Sequence, residues 1–308
     1  MALTLIEAAK LHDGDVLRSA IIEQYAASSG VLLYLPFDSI LGNALKYNRE
    51  EKLPGVGFRG VNEGFTESTG ILNPVTEPLV ISGGDLDVDK FIVDTMGADQ
   101  RPIQEMLKVK ALALAWERTF FKGDTEANPR EFDGLQKRIV GPQLIPAGTT
   151  SGGDPLSLML LDELIDAVRQ PTHLFMNKAM RRRLTQAART SAIGSISWSK
   201  DDFGRQVTYY NDLPIVIIEN DNEDNPILGF NEANPGGGDP TSASIYCLSL
   251  TEGGVTGIQN GLVDVRDLGE LEEKPALRTR VEWYSGLAIY HGRSAARLWG
   301  IKNDAVVG

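Results

Sequence analysis

Residues Leu35 to Gly70 read LPFDSILGNALKYNREEKLPGVGFRGVNEGFTESTG, and the second half of this stretch constrains what the chain can fold into. Glycines fall at 55, 57, 60, 64 and 70, with the single apolar residues Val56, Phe58, Val61 and Phe65 between them. There is no helical period, and glycine dilutes any strand alternation. A two-stranded ribbon alone is marginal in water, so this segment must lie on another surface. If Leu45 to Gly70 forms a hairpin with two arms of about 12 residues, it reaches roughly 40 Å, far enough to cross onto another molecule. The residues expected to make that contact are Leu53, Pro54, Phe58, Arg59 and Phe65.

Around this ribbon the composition is that of an ordinary globular chain. Of 308 residues, 42% are hydrophobic and 23% charged, which argues against global disorder. The formal charge of −12 excludes a protein that coats nucleic acid through net positive charge. The longest unbroken apolar run, Val31 to Phe37, has seven residues. A spanning helix needs about 20, so no membrane partner is expected. Met-Ala-Leu-Thr-Leu-Ile-Glu lacks a basic n-region, so no secretory signal is expected. The single cysteine, Cys247, cannot form an intrachain disulfide, and three histidines leave little for a zinc site.

The remaining pattern predicts an α+β fold. Two short helical pieces are expected before residue 30, the second over Val16–Ala27. Strands are expected at Pro78–Ile81 and Phe91–Val93, with Gly83-Gly84 as a turn. A long helix from about Asp99 to Lys122 follows, roughly 36 Å in length, with Ile103, Met106, Leu107, Lys110, Ala113, Leu114, Glu117, Phe120 and Phe121 on one broad face. Asp154-Pro155 reads as a cap and first turn for a helix to Arg169. Asn177 reads as the cap of a helix to Arg189. Val207–Tyr210, Asn211-Asp212 and Pro214–Ile218 read as a hairpin, and 280–302 as a long strand followed by a shorter one.

Motifs of chemistry mostly fail on context. Gly55-x-Gly57-x-x-Gly60 matches a dinucleotide fingerprint as a string, but no buried strand precedes it and no helix follows. A calcium loop counted from Asp221 has Pro226 where glycine must stand, although Glu232 falls at the twelfth position. Pro235–Pro240 lacks the Lys-Ser/Thr of a phosphate loop. His12, His173 and His291 belong to no catalytic string, and Cys247 reads as a small core residue. No catalytic residue, metal or cofactor is expected, and the chain is not read as an enzyme. One charge pattern stands out. Residues 167–200 contain no acid but carry Arg182 and Arg189, which face outward together on the helix after Asn177. Residues 206–265 contain no Lys or Arg but carry Asp221, Glu223 and Asp224. Two solvated faces, or a basic and an acidic edge for head-to-tail contact between copies, both fit.

In order along the chain, these features resemble the major capsid proteins of tailed bacteriophages with the Hong Kong 97 fold. The resemblance rests on Leu35-Pro36-Phe37, Leu53-Pro54-Gly55, Phe58-Arg59 and Val61-Asn62-Glu63-Gly64, then on the 99–122 helix and the Thr172–Met176 strand with the Asn177 helix. It ends with Arg280-Val281-Glu282-Trp283 and Arg293-Ser294-Ala295-Ala296-Arg297-Leu298. It implies an N-terminal arm (1–34), a lead-in segment with an extended loop, the E-loop (35–74), and a peripheral (P) domain over 75–140 with spine helix 99–122. An axial (A) domain (141–277) and return strands to both domains (278–308) complete it.

The implied role is a capsid subunit forming hexamers and pentamers of an icosahedral shell around double-stranded DNA. Its implied partners are other copies of itself, a portal, packaged DNA through non-specific lumenal contact, and in some systems a decoration or cement protein. Because the arm-like helices begin within a few residues of Met1, a separate scaffolding protein is expected. Some family members crosslink Lys to Asn. Lys46 and Lys52 lie in or beside the ribbon, but no partner Asn is evident, and a shell without crosslinks is expected. An encapsulin shell is the nearest alternative. An α+β enzyme or ligand-binding domain with the Gly-rich segment as a lid is the alternative of a different class.

Overall fold

The computed structural model describes residues 3–4, 29–96, 100–191, 196–200 and 206–307. The Val16–Ala27 helix, most of the 1–34 arm and His12 lie outside the described residues. In chain order come β1 (Leu3–Thr4), β2 (Pro36–Ser39), β3 (Ala44–Lys52), β4 (Ile71–Pro78), β5 (Val80–Asp89), α1 (Lys90–Met96) and α2 (Gln100–Lys122). Next are α3 (Leu135–Arg138), β6 (Leu144–Pro146), α4 (Leu158–Ala167), β7 (His173–Met176) and α5 (Lys178–Ser191). The remaining strands are β8 (Ile196–Lys200), β9 (Gln206–Tyr210), β10 (Leu213–Ile217), β11 (Ala243–Leu248), β12 (Val255–Gln259), β13 (Asp264–Glu270), β14 (Ala276–Ile289) and β15 (Ala295–Ile301). The expected α+β class is the observed one.

Two hydrophobic cores organise these elements. In the first, α2 lies against a six-stranded sheet ordered β1-β2-β12-β14-β13, with β5 also pairing β14. Trp116 is its centre: it touches Phe37, Phe120, Phe132 and Trp283, and its indole N–H donates to Ser285 Oγ at 3.1 Å. Burying the rings while satisfying that one polar atom makes Trp an efficient filler here. In the second core, α4 and α5 cover a seven-stranded sheet ordered β6-β15-β11-β7-β10-β9-β8. Every residue of β11 is buried, as expected for a central strand covered on both faces. β14 enters the first sheet and β15 the second, so the C-terminal strands tie the two together. β12 and β13, sequence neighbours of the axial region, pair in the sheet of α2. The division into 75–140 and 141–277 therefore does not follow the two cores.

Several local expectations are met, and each for its own physical reason. Asn177 Oδ1 accepts the Met180 N–H at 2.7 Å and caps α5. Asn211 and Asp212 both have positive φ, the two-residue turn that matches strand twist between β9 and β10.

Four expectations are corrected. Gly83-Gly84 is not a turn: β5 runs through it, pairing residues 80–89 with β14. A side chain at Gly83 would overlap the Val281 carbonyl oxygen, so glycine serves close strand approach. Phe91-Ile92-Val93 is helical in α1, because the Asp89 carboxylate caps the Phe91 N–H at 2.8 Å and starts the turn. Asp154 does not cap a helix. Its carboxylate accepts the Thr150 N–H at 3.0 Å and its backbone bridges Ile301, so α4 starts only at Leu158.

The fourth correction is the face of the first half of α2; in the second half Ala113, Glu117, Phe120 and Phe121 are buried as expected. Its buried stripe is Glu105, Val109, Leu112, Ala113, Trp116, Glu117, Phe120 and Phe121, whereas Ile103, Met106 and Leu107 are about half exposed. Glu105 is drawn inward because it accepts from Thr279 Oγ1 at 2.7 Å and pairs with Arg101 at 3.3 Å. Thr279 on β14, which also accepts from Arg101, thus turns the polar Arg101–Glu105 side of the first half of α2 toward the sheet.

Candidate assembly surface

The extended hairpin β3–β4 carries the segment that the sequence singles out. Residues 44–52 pair with 71–78, giving a two-stranded stem of roughly 30 Å. The glycine-rich stretch is therefore not the paired stem but an 18-residue loop, 53–70, at its tip. Glycine spacing explains the difference: strand pairing needs side chains to stack across the ladder, and this stretch supplies too few.

Every residue of the loop is exposed. Val56, Phe58 and Val61 are at least nine-tenths exposed, and Leu53 and Phe65 about 70%. What order the loop has is local. Glu63 turns back to accept the Gly60 N–H at 2.8 Å, Arg59 donates to the Glu63 carbonyl at 3.1 Å, and the Arg59 guanidinium sits 5.2 Å over the Phe65 ring. Ser68 Oγ donates to the Gly55 carbonyl at 2.8 Å and closes the loop neck. The arrangement presents Phe58 and its apolar neighbours outward, with no described residue from outside the loop packed beneath them. Exposing five large apolar side chains on one loop is costly for a solitary particle, which makes the loop a candidate docking surface.

The stem is aimed by its root. Glu77 on β4 is 8% exposed and takes a two-pronged pair from Arg138 on α3, at 2.6 and 2.8 Å. Tyr47 on β3 donates to the Ile289 carbonyl at 2.9 Å and packs edge-on against Tyr290. Burial and the nearby Glu77 charge raise the Tyr47 pKa, so its hydroxyl keeps the proton it donates. Arg49 and Arg138 line a cleft of about 280 Å³ at this root, together with Glu77, Asp133 and Gly292. Residue spacing could not reveal the Glu77–Arg138 clamp, since 61 positions separate its members.

A second apolar surface lies on the helices. Phe91 and Ile92 on α1 and Ile103, Met106 and Leu107 on α2 are 40–72% exposed. The last three fall at helical spacing on one stripe of α2.

The charged edges are only partly as expected. Arg182 and Arg189 are exposed on α5, and Glu223 and Asp224 are exposed in the loop after β10. Asp221 is not part of an open edge: it is 8% exposed, and its carboxylate accepts the backbone N–H of Glu223 and Asn225 at 2.9 Å each. Within one copy the basic and acidic tracts touch where Lys178 pairs with Glu219 at 3.2 Å. His173 packs at a tilt against Tyr34, and burial pushes its pKa down to about 4; burial pushes the Cys247 thiol up to about 12. Neither environment favours a reactive group at neutral pH.

No protein-family profile and no curated protein sequence matches the chain. Solved structures do. The SrpI encapsulin of Synechococcus elongatus PCC 7942, from a holo complex, superposes with a TM-score of 0.66 at 15% identity, covering 90% of this chain and 89% of that one. The capsid of a native GTA particle gives 0.63 at 14% identity, covering 89% and 90%. A chain of Mycobacterium phage Bobi gives 0.60 at 14% identity, covering 91% of each. The chain therefore has the Hong Kong 97-type fold of capsid and encapsulin proteins.

Proposed function

We propose that this chain is a structural subunit of a tailed-phage icosahedral capsid, assembling as hexamers and pentamers around packaged double-stranded DNA. The observation that carries the reading is the hairpin: a clamped stem of roughly 30 Å holding an exposed apolar loop that finds no support among the other described residues. A neighbouring copy supplies that support in the simplest way, and the half-exposed stripe on α1 and α2 offers apolar surface to receive it. In this reading residues 53–70 serve as the E-loop and α2 as the spine helix. The exposed Arg182 and Arg189 meet Glu223 and Asp224 of adjacent copies, while Asp221 shapes the acidic loop from within. A scaffolding protein and a portal are the further partners the reading calls for, with a decoration or cement protein in some systems.

The similarity to an encapsulin supports a second reading, a shell that encloses protein cargo. Electron microscopy and nucleic-acid analysis of native particles separate the two: DNA-filled particles support the phage reading, and nucleic-acid-free particles holding an enzyme support the second. Deleting Leu53–Phe65 tests both. We expect a folded subunit that no longer builds stable shells. Normal shells from the deletion variant would overturn the role of the loop, and a monodisperse monomer from the unaltered chain at high concentration would overturn the shell reading itself.

A further inference from the structure

We propose that Glu117 is a proton-operated latch: its carboxyl group, sealed inside the protein, fastens the root of the N-terminal segment to α2, and docking of residues 29–35 takes up one proton there. Ser29 to Leu35 is the first continuous described stretch that enters the body, and it does so as a plug. Val31, Leu32 and Leu35 are fully buried in the first core, beside Val216 and Ile218 at the end of β10. A side chain at Gly30 would press on Val216 and the Ile217 carbonyl, so the plug fits closely. Its first turn presents unpaired donors, and Glu117 receives them: Val31 N–H at 3.2 Å, with the Gly30 N–H and the Ser29 hydroxyl also bonding the carboxylate.

Among the described residues, three donors and no cation surround the carboxyl group, which is 3% exposed. Among the described residues, no Lys or Arg pairs with it. The charged and titratable groups on the elements around it do not compensate. Glu219, after β10, adds repulsion and is itself paired with Lys178 of α5. His173 of β7 packs at a tilt against Tyr34 within the plug and is held neutral by burial. Arg118, next along α2, turns toward Glu131 and Asp221 at 3.7 and 3.9 Å. Burial therefore outweighs the hydrogen bonds and raises the Glu117 pKa from 4.5 to about 7.

Undocking the plug would return Glu117 to water, where it ionises near 4.5. Between that value and about pH 7 the docked state holds a proton that the undocked state has released. Raising pH through this interval therefore weakens docking, and above pH 7 no further loss occurs. The interval bounds the effect at roughly 300-fold in the docking equilibrium. Residues 29–35 are thus most firmly rooted in acid and loosest at alkaline pH.

Hydrogen exchange of the Val31–Leu35 amides, corrected for intrinsic rates, tests this on full-length subunits. Protection should fall by up to about 100-fold from pH 5 to pH 8 in the unaltered chain and stay level in Glu117→Gln, which keeps an acceptor but cannot titrate. Should the Gln variant fail to fold, Ser29→Ala provides the second arm. Losing a donor to the carboxylate must move the midpoint of the pH transition upward. Parallel pH profiles in the unaltered and Gln chains, an unaltered chain with no pH dependence at these amides, or an unmoved midpoint in Ser29→Ala would each overturn the latch.

Discussion

The Glu77–Arg138 clamp gives the sharpest test of how the hairpin is aimed. Replacing Arg138 with Ala removes both prongs and leaves the Glu77 carboxylate in a site where its side chain is only 10% exposed. Tyr47 Oη, 3.5 Å away, is the one other hydrogen-bond partner of that carboxylate among the described residues. Stranding a buried charge in this way costs about 3–5 kcal/mol. For 308 residues, at about 2.1 cal/mol/K per residue, that corresponds to a fall of roughly 5–8 °C in the subunit melting temperature. The hairpin can also relieve the penalty by swinging Glu77 toward water. A tilt of about 10° at the root moves the end of a 30 Å stem by roughly 5 Å, more than enough to lose a packed contact. Either route should abolish shell assembly, as followed by light scattering and electron microscopy. The double variant Glu77→Gln/Arg138→Met removes both charges and should recover most of the stability, giving a coupling of about 2 kcal/mol in a double-mutant cycle. A coupling below about 0.5 kcal/mol, with hydrogen exchange of 71–78 unchanged in Arg138→Ala, would refute the reasoning.

Charge reversal at Arg182 and Arg189 together should leave the free subunit folded, because both are exposed on α5, and should impair capsomer formation; reversing Glu223 and Asp224 should restore it in part, with native gels and scattering as the readout. Acid should loosen the β5–β14 ladder. Arg280 holds the Asp85 carboxyl below its ordinary 3.8, and Arg278 with Lys274 holds Asp87 far below it. These depressed groups contribute stability above pH 3.8 and lose it as pH falls toward their folded values, so Asp87→Asn should flatten the acid limb of a pH-melting curve, and salt should shrink the difference.

The local grammar of the chain was legible where neighbouring residues decide the outcome. Asn177 caps α5, Asn211-Asp212 turns β9 into β10, and the glycine-dotted run forms no core. Legibility failed where a distant partner decides. The Gly83-Gly84 pair reads as a turn until β14 is laid beside it and the Val281 carbonyl demands the space. The apolar period of α2 points to Ile103, Met106 and Leu107, but Thr279 on β14 bonds Glu105 and draws that side inward instead. Phe91–Val93 has the β-branched look of a strand, and only the Asp89 cap, a signal present in the sequence, indicates the helix. For the candidate surface, the spacing of Val56, Phe58, Val61 and Phe65 was enough to locate the loop but not its stem.

By itself the sequence determined that residues 53–70 cannot shelter their apolar side chains, since glycine at that density leaves neither a helix face nor a strand face to bury. Tertiary structure alone decided where that loop is held and what holds the N-terminal root. The Glu77–Arg138 fork and the Glu117 carboxylate join residues 61 and 86 positions apart. Such contacts form only once distant parts of the chain have packed together, where the low dielectric strengthens a paired charge such as Glu77 with Arg138 and makes an unpaired one such as Glu117 costly.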